Sequence, residues 1–310
     1  MEKKFKLMIF GFLVLALVPN IVTPSYATSQ LYGIAGTGGG TSSVSTFYTI
    51  DSSTGTATSV GLVGFLGCDA MEVEDSGIIY ATCNRPGTDI NVLVTIDPLT
   101  GVGTEVGPTG VVNDGCGLNV GPKDVSFRNS DGVLFGYTHT ASGFNLMTID
   151  LVTGLATPIG SGISCNSGNG LSFTPGDTLL VKDELTLYEV DQVTGVLSNP
   201  ILTADFATAI DYNPDDGLQY AAEGGGGAGA FTRDLVTIDP LTGVSTLVGP
   251  TVDRLTAIAF APMAVAVGGS DVAINTSALL LAGVQSISMW MIPVVIAGIG
   301  IGVFVIKRRN

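Results

Sequence analysis

Five stretches of the chain alternate apolar and polar residues and share one turn-forming pattern, Asp-x-x-Thr-Gly. The five are FYTIDSSTGTATSVG (47–61), LVTIDPLTGVGTEVG (93–107), LMTIDLVTGLATPIG (146–160), LYEVDQVTGVLSNP (187–200) and LVTIDPLTGVSTLVG (235–249). A period of two residues is that of a half-buried β-strand. Asp accepts backbone N–H groups and Gly adopts positive φ in tight turns. Each stretch therefore predicts two strands joined by a turn.

A second pair of strands, joined by an acidic turn, is predicted between successive stretches. We call this pair A and B, and the strands that flank the Asp-x-x-Thr-Gly turn C and D. Four antiparallel strands repeated every 40–50 residues or so are typical of β-propeller blades. The chain begins this series with a B strand at 31–36 and ends it with an orphan A strand at 255–262. Together they complete a blade, so we predict an all-β, five-bladed propeller closed by its terminal strands over about residues 29–263.

Both ends of the chain carry long apolar runs next to basic residues. Three lysines precede the apolar run 7–18, and small residues follow up to Ala27, which predicts a secretory signal peptide cleaved after Ala27. An uncleaved membrane anchor is the alternative. Residues 287–306 contain no charge and are followed by Lys-Arg-Arg, the pattern of a transmembrane helix with a cytoplasmic end.

These features divide the chain into five segments. They are a signal peptide (1–27), a β-propeller ectodomain (28–263), a stalk (264–286), a transmembrane helix (287–306) and a cytoplasmic tail (307–310). The stalk contains the sequon Asn275-Thr276-Ser277, so Asn275 is a candidate for N-glycosylation. We expect the protein at the cell surface, held in the plasma membrane by its C-terminal helix, with the propeller outside.

The pattern LVTIDPLTG and its spacing resemble the YVTN-like extracellular β-propeller repeat proteins. The tail, through 272–276 and 278–283 to Trp290 and Pro293, is similar to C-terminal anchors of archaeal cell-surface proteins. These resemblances imply an anchored surface propeller and no particular activity, since one fold hosts many functions.

Composition and motifs narrow the functional classes. Twelve Lys and Arg against 27 Asp and Glu leave a formal net charge of −15, which disfavours nucleic acid as a partner. The chain has one His, and it lacks the G-x-S-x-G, H-E-x-x-H and Walker patterns. We therefore assign no catalytic or cofactor-binding residue. The sequence favours a non-enzymatic binding, adhesion or envelope-structural module whose partner is a surface polymer or an envelope protein.

The alternative is an extracellular metal-dependent hydrolase or lactonase with an acidic site in its channel. Glu72, Glu74 and Asp211 lie on predicted inner strands and are expected to meet across that channel. For Ca²⁺, the best candidate ligands are Asp211, Asn213 and Asp215, which resemble the opening of a calcium loop. Turn formation alone also explains these residues, because similar acidic turns recur in the other repeats.

The four cysteines are predicted to approach each other on the face opposite the acidic turns. Export favours disulfides. If the hairpin turns about residues 75 and 76, Cys68 lies opposite Cys83, which predicts the pairs Cys68–Cys83 and Cys116–Cys165. A thiolate site for a soft metal is the alternative, and a register slip of one residue would weaken the pairing argument.

Overall fold

The computed structural model describes residues 29–36, 43–111, 121–140, 143–160, 170–204, 206–224 and 232–261. The regular structure in these ranges consists of β-strands, without helices. In particular, the described ranges contain no helix of the length and apolarity needed to cross a membrane. The predicted signal peptide, stalk, transmembrane helix and cytoplasmic tail lie outside the described residues.

The strands have the following bounds: β1 Leu31–Ala35, β2 Val44–Ile50, β3 Ala57–Val73, β4 Ile79–Asn84, β5 Asn91–Ile96, β6 Gly103–Pro108, β7 Asp124–Phe127, β8 Leu134–Thr140, β9 Gly143–Ile149, β10 Ala156–Ile159, β11 Gly170–Phe173, β12 Leu179–Asp183, β13 Thr186–Val190, β14 Leu197–Leu202, β15 Ala207–Tyr212, β16 Gln219–Glu223, β17 Asp234–Ile238, β18 Ser245–Pro250 and β19 Leu255–Phe260. They form β-propeller-like repeated antiparallel sheets. Three sheets have four strands each, β7 to β10, β11 to β14 and β15 to β18.

The remaining sheet has seven strands in the order β19-β1-β2-β3-β4-β5-β6. Its long strand β3 pairs with β2 through residues 57–66 and with β4 through residues 66–73. Gly64 and Gly67, both with positive φ, lie where the pairing changes from one neighbour to the other. The same strand therefore ends one set of four strands and begins the next.

The first and last described strands are neighbours in this sheet. Leu31 pairs with Phe260 and Ile34 with Ala257, and the N–H of Ala261 donates to the carbonyl of Gln30 at 2.8 Å. This confirms the predicted pairing of 31–36 with 255–262. The chain thus covers two strand edges that would otherwise be open to other chains.

Aromatic rings fill part of the core between consecutive sheets. Each pair joins the B strand of one set to the A strand of the next, in the edge-to-face arrangement that aromatic quadrupoles favour. The pairs, with their centroid distances, are Tyr80 and Phe127 (5.8 Å), Phe135 and Phe173 (5.3 Å), and Tyr220 and Phe260 (5.0 Å).

The five Asp-x-x-Thr-Gly stretches form turns, as predicted. In each, the Gly N–H donates to the Asp carbonyl at 2.8 Å, and the Gly has a φ between 72° and 77°. The Asp Oδ1 accepts the N–H of the residue two positions later at 2.8–3.0 Å. Hydrogen bonds from the residues that follow hold the pKa of each Asp below its usual value. These side chains therefore build the turns.

Each of these turns also touches the preceding D strand, backbone against backbone. A Cβ added at Gly107 would lie 2.1 Å from the carbonyl oxygen of Thr153. Equivalent contacts join Gly61 to Thr100 (2.1 Å), Gly160 to Thr194 (2.0 Å), Gly243 to Leu202 (2.0 Å) and Gly249 to Thr54 (2.2 Å). The last of these connects the final repeat to the first. The glycines at the ends of the repeats are therefore required by the close approach of neighbouring sheets.

Cys68 of β3 and Cys83 of β4 form a disulfide, with Cα atoms 4.0 Å apart, which confirms the first predicted pair. The register behind that prediction was wrong by one residue, since Val73 pairs with Ile79 and the hairpin is centred on Ser76. An irregularity between Leu66 and Ala70 places extra residues on β3 and brings the two cysteines together. Cys116 and Cys165 lie outside the described residues.

The glycine contacts predict a cost for any side chain at these positions. Gly107→Ala and Gly249→Ala should each lower the free energy of unfolding by about 1–3 kcal/mol, because a methyl group would displace a rigid backbone carbonyl. Gly176→Ala is the control, since a Cβ there has no atom within 4 Å. Denaturant unfolding measures all three. A neutral Gly249→Ala beside a destabilised Gly107→Ala would contradict the contact between the last and first repeats.

The disulfide should stabilise the hairpin that it spans. For a separation of 15 residues, the double variant Cys68→Ala/Cys83→Ala should lose about 3 kcal/mol through the freed unfolded chain. Guanidinium unfolding without reductant measures the loss. Equal midpoints for the double variant and the parent would show that the bond contributes nothing.

Candidate functional site

One residue position on the A strands carries polar side chains in most of the repeats. We identify this A-strand position in each repeat by the B-strand residue that pairs with it. The pairs are Glu72 with Tyr80, Ser126 with Phe135, Ser172 with Leu180, Asp211 with Tyr220 and Ala259 with Tyr32. All four polar members are buried. A buried polar group must find hydrogen bonds, so this row is expected to be structurally committed.

These side chains make hydrogen bonds from one sheet to the next. Asp211 accepts the N–H of Phe260 at 2.6 Å through Oδ2, and the Ser172 hydroxyl donates to its Oδ1 at 3.3 Å. Ser126 Oγ accepts the N–H of Phe173 at 3.1 Å. Side chains on the A strands thus satisfy backbone donors of the adjacent A strand.

Asp124 adds a further buried carboxylate, two residues before Ser126. Its side chain is almost fully buried, with Oδ2 accepting the N–H of Leu171 at 2.9 Å and Oδ1 that of Val125 at 3.0 Å. Glu72 Oε1 accepts the N–H of Val73 at 2.8 Å. The carboxyl groups of Glu72, Asp124 and Asp211 thus come from three different sheets, and all three residues lie on A strands.

Burial governs the ionisation of these carboxyl groups. Desolvation, and then the negative charges of Asp211 and Asp124, raise the pKa of Glu72 well above its usual value. Desolvation likewise raises the pKa of Asp124 well above normal. Burial raises the pKa of Asp211 to about 7, against hydrogen bonds from Phe260, Tyr212 and Ser172 that lower it. Burial therefore favours the protonated forms of these carboxyl groups more than exposure to solvent would.

A cavity of about 470 Å³ opens above this row, on the side of the A–B turns. Its lining includes Glu72, Ser126 and Asp211, aromatic rings of the A strands, and polar residues of the A–B turns. Glu74 and Arg128 also line it. Cavities of this size with a few placed polar groups are typical of small-ligand sites.

Arg128 is held in place by several partners. Its Nε and Nη2 donate to the two carboxylate oxygens of Asp131 at 2.9 and 2.5 Å, and Nη1 donates to Gln192 at 2.9 Å. The guanidinium also lies 5.0 Å from the centre of the Phe135 ring, a cation–π contact. The cavity lining therefore contains the Arg128 guanidinium, whose hydrogen bonds go to Asp131 and Gln192, together with several carboxyl groups.

The predicted calcium ligands occupy different environments. Asp211 lies on β15 and is bound to backbone N–H groups, as above. Asn213 Oδ1 accepts the N–H of Asp215 at 3.0 Å, which is turn geometry. Asp215 accepts the N–H of Ser29 at 2.7 Å and its hydroxyl at 3.2 Å. In the described ranges, no group of three or more His, Cys, Asp or Glu side chains is arranged to hold a metal. Calcium binding stays a prediction.

Of the carboxyl groups expected to meet, Glu72 and Asp211 both line the cavity, and the charge of Asp211 contributes to the raised pKa of Glu72. Glu74 instead lies at the cavity wall, where its Oε2 accepts the Ser76 hydroxyl at 2.5 Å. Asp124 was missed. Its signal was available, because Asp124 and Ser126 alternate with apolar residues on one strand. The candidate glycosylation site Asn275 lies outside the described residues.

Comparison with known proteins gives structural similarity alone. No protein-family model and no curated protein matches the chain. Hydrazine synthase of Kuenenia stuttgartiensis is 15% identical over 62% of this chain and 49% of its own, with a TM-score of 0.38. A putative 6-phosphogluconolactonase from Bacteroides uniformis is 13% identical over 73% and 83%, with a TM-score of 0.43. A chain of a nidogen/laminin complex is 9% identical over 76% and 99%, with a TM-score of 0.46.

This chain spans about half the length of the hydrazine synthase chain. Similarity at this level carries no information on activity, because unrelated functions share folds. The described part of the chain is an all-β protein with β-propeller-like repeated sheets and one disulfide.

The raised pKa of Glu72 predicts a pH-dependent penalty. The folded protein holds the proton of such a buried acid more tightly than the unfolded chain does. Its contribution to stability is therefore fully present below the unfolded pKa and is lost as pH rises through the folded pKa. Glu72→Gln avoids that loss, and so should be more stable than the parent by about 1–3 kcal/mol at pH 7.5 and nearly equal to it at pH 4. Denaturant unfolding at both pH values measures the difference.

The matched control is Asp75→Asn, an exposed acid in the same hairpin. Its effect should stay within about 0.5 kcal/mol at either pH, as for most surface substitutions. If the free energies of unfolding of Glu72→Gln and the parent differ by the same amount at pH 4 and at pH 7.5, Glu72 does not titrate in this range.

Proposed function

We propose that this protein is an exported, membrane-anchored, five-bladed β-propeller that binds a partner through the face formed by its A–B turns. The count of five takes residues 57–66 of β3 as a D strand and residues 66–73 as an A strand. The glycine contacts support it, because they connect five turns in a series that returns from Gly249 to Thr54. The pairing of β1 with β19 supports closure in the same way.

The observation that carries the binding function is the cavity of about 470 Å³ on this face. Its lining carries the carboxyl groups of Glu72, Glu74, Asp75 and Asp211 against the single guanidinium of Arg128, together with aromatic rings. Such a site suits a group that donates hydrogen bonds or carries positive charge on an apolar body. A hydroxyl- or amine-bearing surface polymer, or a Lys or Arg side chain of an envelope protein, has this chemistry.

The cell-surface location belongs to the same proposal. Its support is in the sequence, where the basic and apolar start, the uncharged run 287–306 and the terminal Lys-Arg-Arg have the patterns of a signal and an anchor. The resemblance to YVTN-like propellers and to archaeal surface anchors agrees with this location, as does a sequon at Asn275 in the stalk. An adhesive or structural role in the envelope follows from an anchored binding face.

An extracellular hydrolase is the second candidate, and the ionisation of the channel acids favours it. A carboxyl group whose pKa is about 7, as for Asp211, can act as a general acid or base near neutral pH. In the metal-dependent form, Ca²⁺ at Asp211, Asn213 and Asp215 would replace their present hydrogen bonds. The melting temperature, measured with Ca²⁺ and then with EDTA, tests the metal-dependent hydrolase. This candidate requires a higher melting temperature in Ca²⁺.

Blocking the cavity mouth tests the binding function. Ser76 lines the cavity and is exposed, so Ser76→Trp should obstruct entry without replacing a buried group. Ser53→Trp, exposed on an Asp-x-x-Thr-Gly turn and outside the cavity lining, is the matched control. The full chain in detergent is applied to arrays of neutral glycans, amino-sugar glycans and Lys- or Arg-containing peptides.

We expect at least one array class to be bound, with binding reduced about tenfold or more by Ser76→Trp and unchanged by Ser53→Trp. A tenfold loss corresponds to about 1.4 kcal/mol of binding free energy. Equal losses in the two variants would move the binding site away from the cavity. Turnover of a lactone or glycoside that Asp211→Asn abolishes would instead favour the hydrolase.

A further inference from the structure

Aromatic rings occupy one position on four of the A strands. The position directly follows the buried polar row, and the four rings belong to Phe127, Phe173, Tyr212 and Phe260. Val73 occupies the same position on β3. All five residues line the cavity. We call the four rings the aromatic collar, because four separate strands contribute them to one cavity.

Most of the aromatic collar is held in place by the core. Phe127, Phe173 and Phe260 each pack edge to face on an aromatic ring of the neighbouring B strand, with centroids 5.0–5.8 Å apart. Phe173 and Phe260 are buried, whereas Phe127 and Tyr212 are partly exposed. Three of the four rings that a ligand would meet are therefore already fixed, which lowers the entropic cost of binding.

The charged residues of the lining favour a cation. Four carboxyl groups line the cavity, those of Glu72, Glu74, Asp75 and Asp211. The guanidinium of Arg128, which also lines it, donates to both carboxylate oxygens of Asp131. Because this ion pair offsets the positive charge of Arg128, the ionised carboxyl groups of the lining give the cavity a negative potential.

The buried carboxyl groups of the lining already accept backbone donors. Asp211 accepts the N–H of Tyr212 at 2.7 Å and that of Phe260 at 2.6 Å, and Glu72 accepts the N–H of Val73 at 2.8 Å. A primary ammonium ion or a hydroxyl group needs acceptors that replace its water, and desolvation is unfavourable where it finds too few. A fully alkylated ammonium ion has no N–H group, so it is attracted by carboxylates and aromatic rings without needing hydrogen bonds.

We propose that the cavity binds a fully alkylated ammonium group, such as trimethylammonium, among the rings of the aromatic collar and beside the carboxyl groups of Glu72 and Asp211. The inference rests on the proposed binding function and names the chemistry of the bound group. Methylated lysine side chains and small molecules of the choline type carry such a group. Hydroxyl groups and primary amines bind the same cavity more weakly.

Calorimetric titration of the full chain in a neutral maltoside detergent compares three small probes. Choline carries the trimethylammonium group, its neutral carbon analogue has a tert-butyl group instead, and ethanolamine has a primary ammonium group. Choline should bind with a Kd of about 1 mM or lower, and the other two probes at least about tenfold more weakly. Equal binding of choline and either of the other probes would overturn the proposal, as would a folded protein that does not bind choline.

Two substitutions locate the bound probe. Tyr212→Leu removes a ring of the aromatic collar and Glu72→Gln removes a carboxylate, so each should weaken choline binding about three- to tenfold. The matched controls are Tyr48→Leu, at a half-buried tyrosine of β2, and Asp89→Asn, at an exposed acid; both residues lie outside the lining. The controls should bind choline as the parent does. Choline binding unchanged in both Tyr212→Leu and Glu72→Gln, or weakened equally in the controls, would overturn the assignment to the cavity. Thermal melting checks that each variant is folded.

Choline binding should also depend on pH. Burial, and then the charges of Asp211 and Asp124, raise the pKa of Glu72, and burial raises the pKa of Asp211 to about 7. The other charged residues of the lining are Glu74, Asp75 and Arg128. Because a bound cation favours the ionised carboxylates, the affinity for choline should rise about threefold or more from pH 6 to pH 8. The neutral analogue should bind equally at both. Choline binding that does not change over this range would overturn the role of the buried carboxyl groups.

A peptide that contains trimethyllysine distinguishes two sources of the ammonium group. Tighter binding of the peptide than of choline supports the proposal and assigns the group to a protein partner. Equal or weaker binding of the peptide supports recognition of the ammonium group alone.

Failure of this inference is distinguishable from failure of the proposed binding function. Array binding that Ser76→Trp blocks, together with no binding of choline, would overturn the alkylated ammonium and leave the binding function in place. Choline binding that Tyr212→Leu weakens, without binding to any array class, would support this inference and contradict the polymer and peptide partners.

Discussion

The close approach of neighbouring sheets is the constraint on which the rest of this structure depends. At each Asp-x-x-Thr-Gly turn, glycine allows the backbone of one repeat to touch the backbone of the next. A side chain at Gly107 or Gly249 would push the two sheets apart. Because the contacts continue from the last repeat to the first, and because β1 pairs with β19, the sheets hold one another in position.

This arrangement decides what the inner strands can do. The A strands come close enough for a side chain on one to bind the backbone of the next, as Asp211 does with Phe260 and Ser126 with Phe173. The buried carboxyl groups are therefore structural and chemically unusual at once. Their hydrogen bonds offset part of the desolvation cost, while burial keeps their pKa values high. A cavity beside such groups can recognise donors and cations, which is the basis of the proposed function.

Local patterns in the sequence predicted most of the strands and turns. The pairing of 31–36 with 255–262 was also predictable, because each fragment is an incomplete copy of the repeat. The disulfide Cys68–Cys83 was predicted correctly from a register that was wrong, since an irregularity in β3 compensated for the shift. Sequence spacing carries no information on such irregularities, because they depend on how a strand bends between its two neighbours.

The candidate site was predicted less completely. Glu72 and Asp211 were expected in the channel, but Asp124 was not, and the hydrogen bonds of Asp124 to Leu171 and of Asp211 to Phe260 join residues 47 and 49 positions apart. The contact between Asp215 and Ser29 spans 186 residues, and no spacing rule connects two such positions.

By itself, the sequence determined the alternation of strands, the five turns built on Asp and Gly and the acidic character of the chain, because these depend on composition or on residues close to one another. Only the tertiary structure decided which carboxyl groups are buried, which are bound to backbone donors and where a cavity opens. Burial and electrostatic coupling arise between sheets, and they depend on distances that exist only after the sheets have packed.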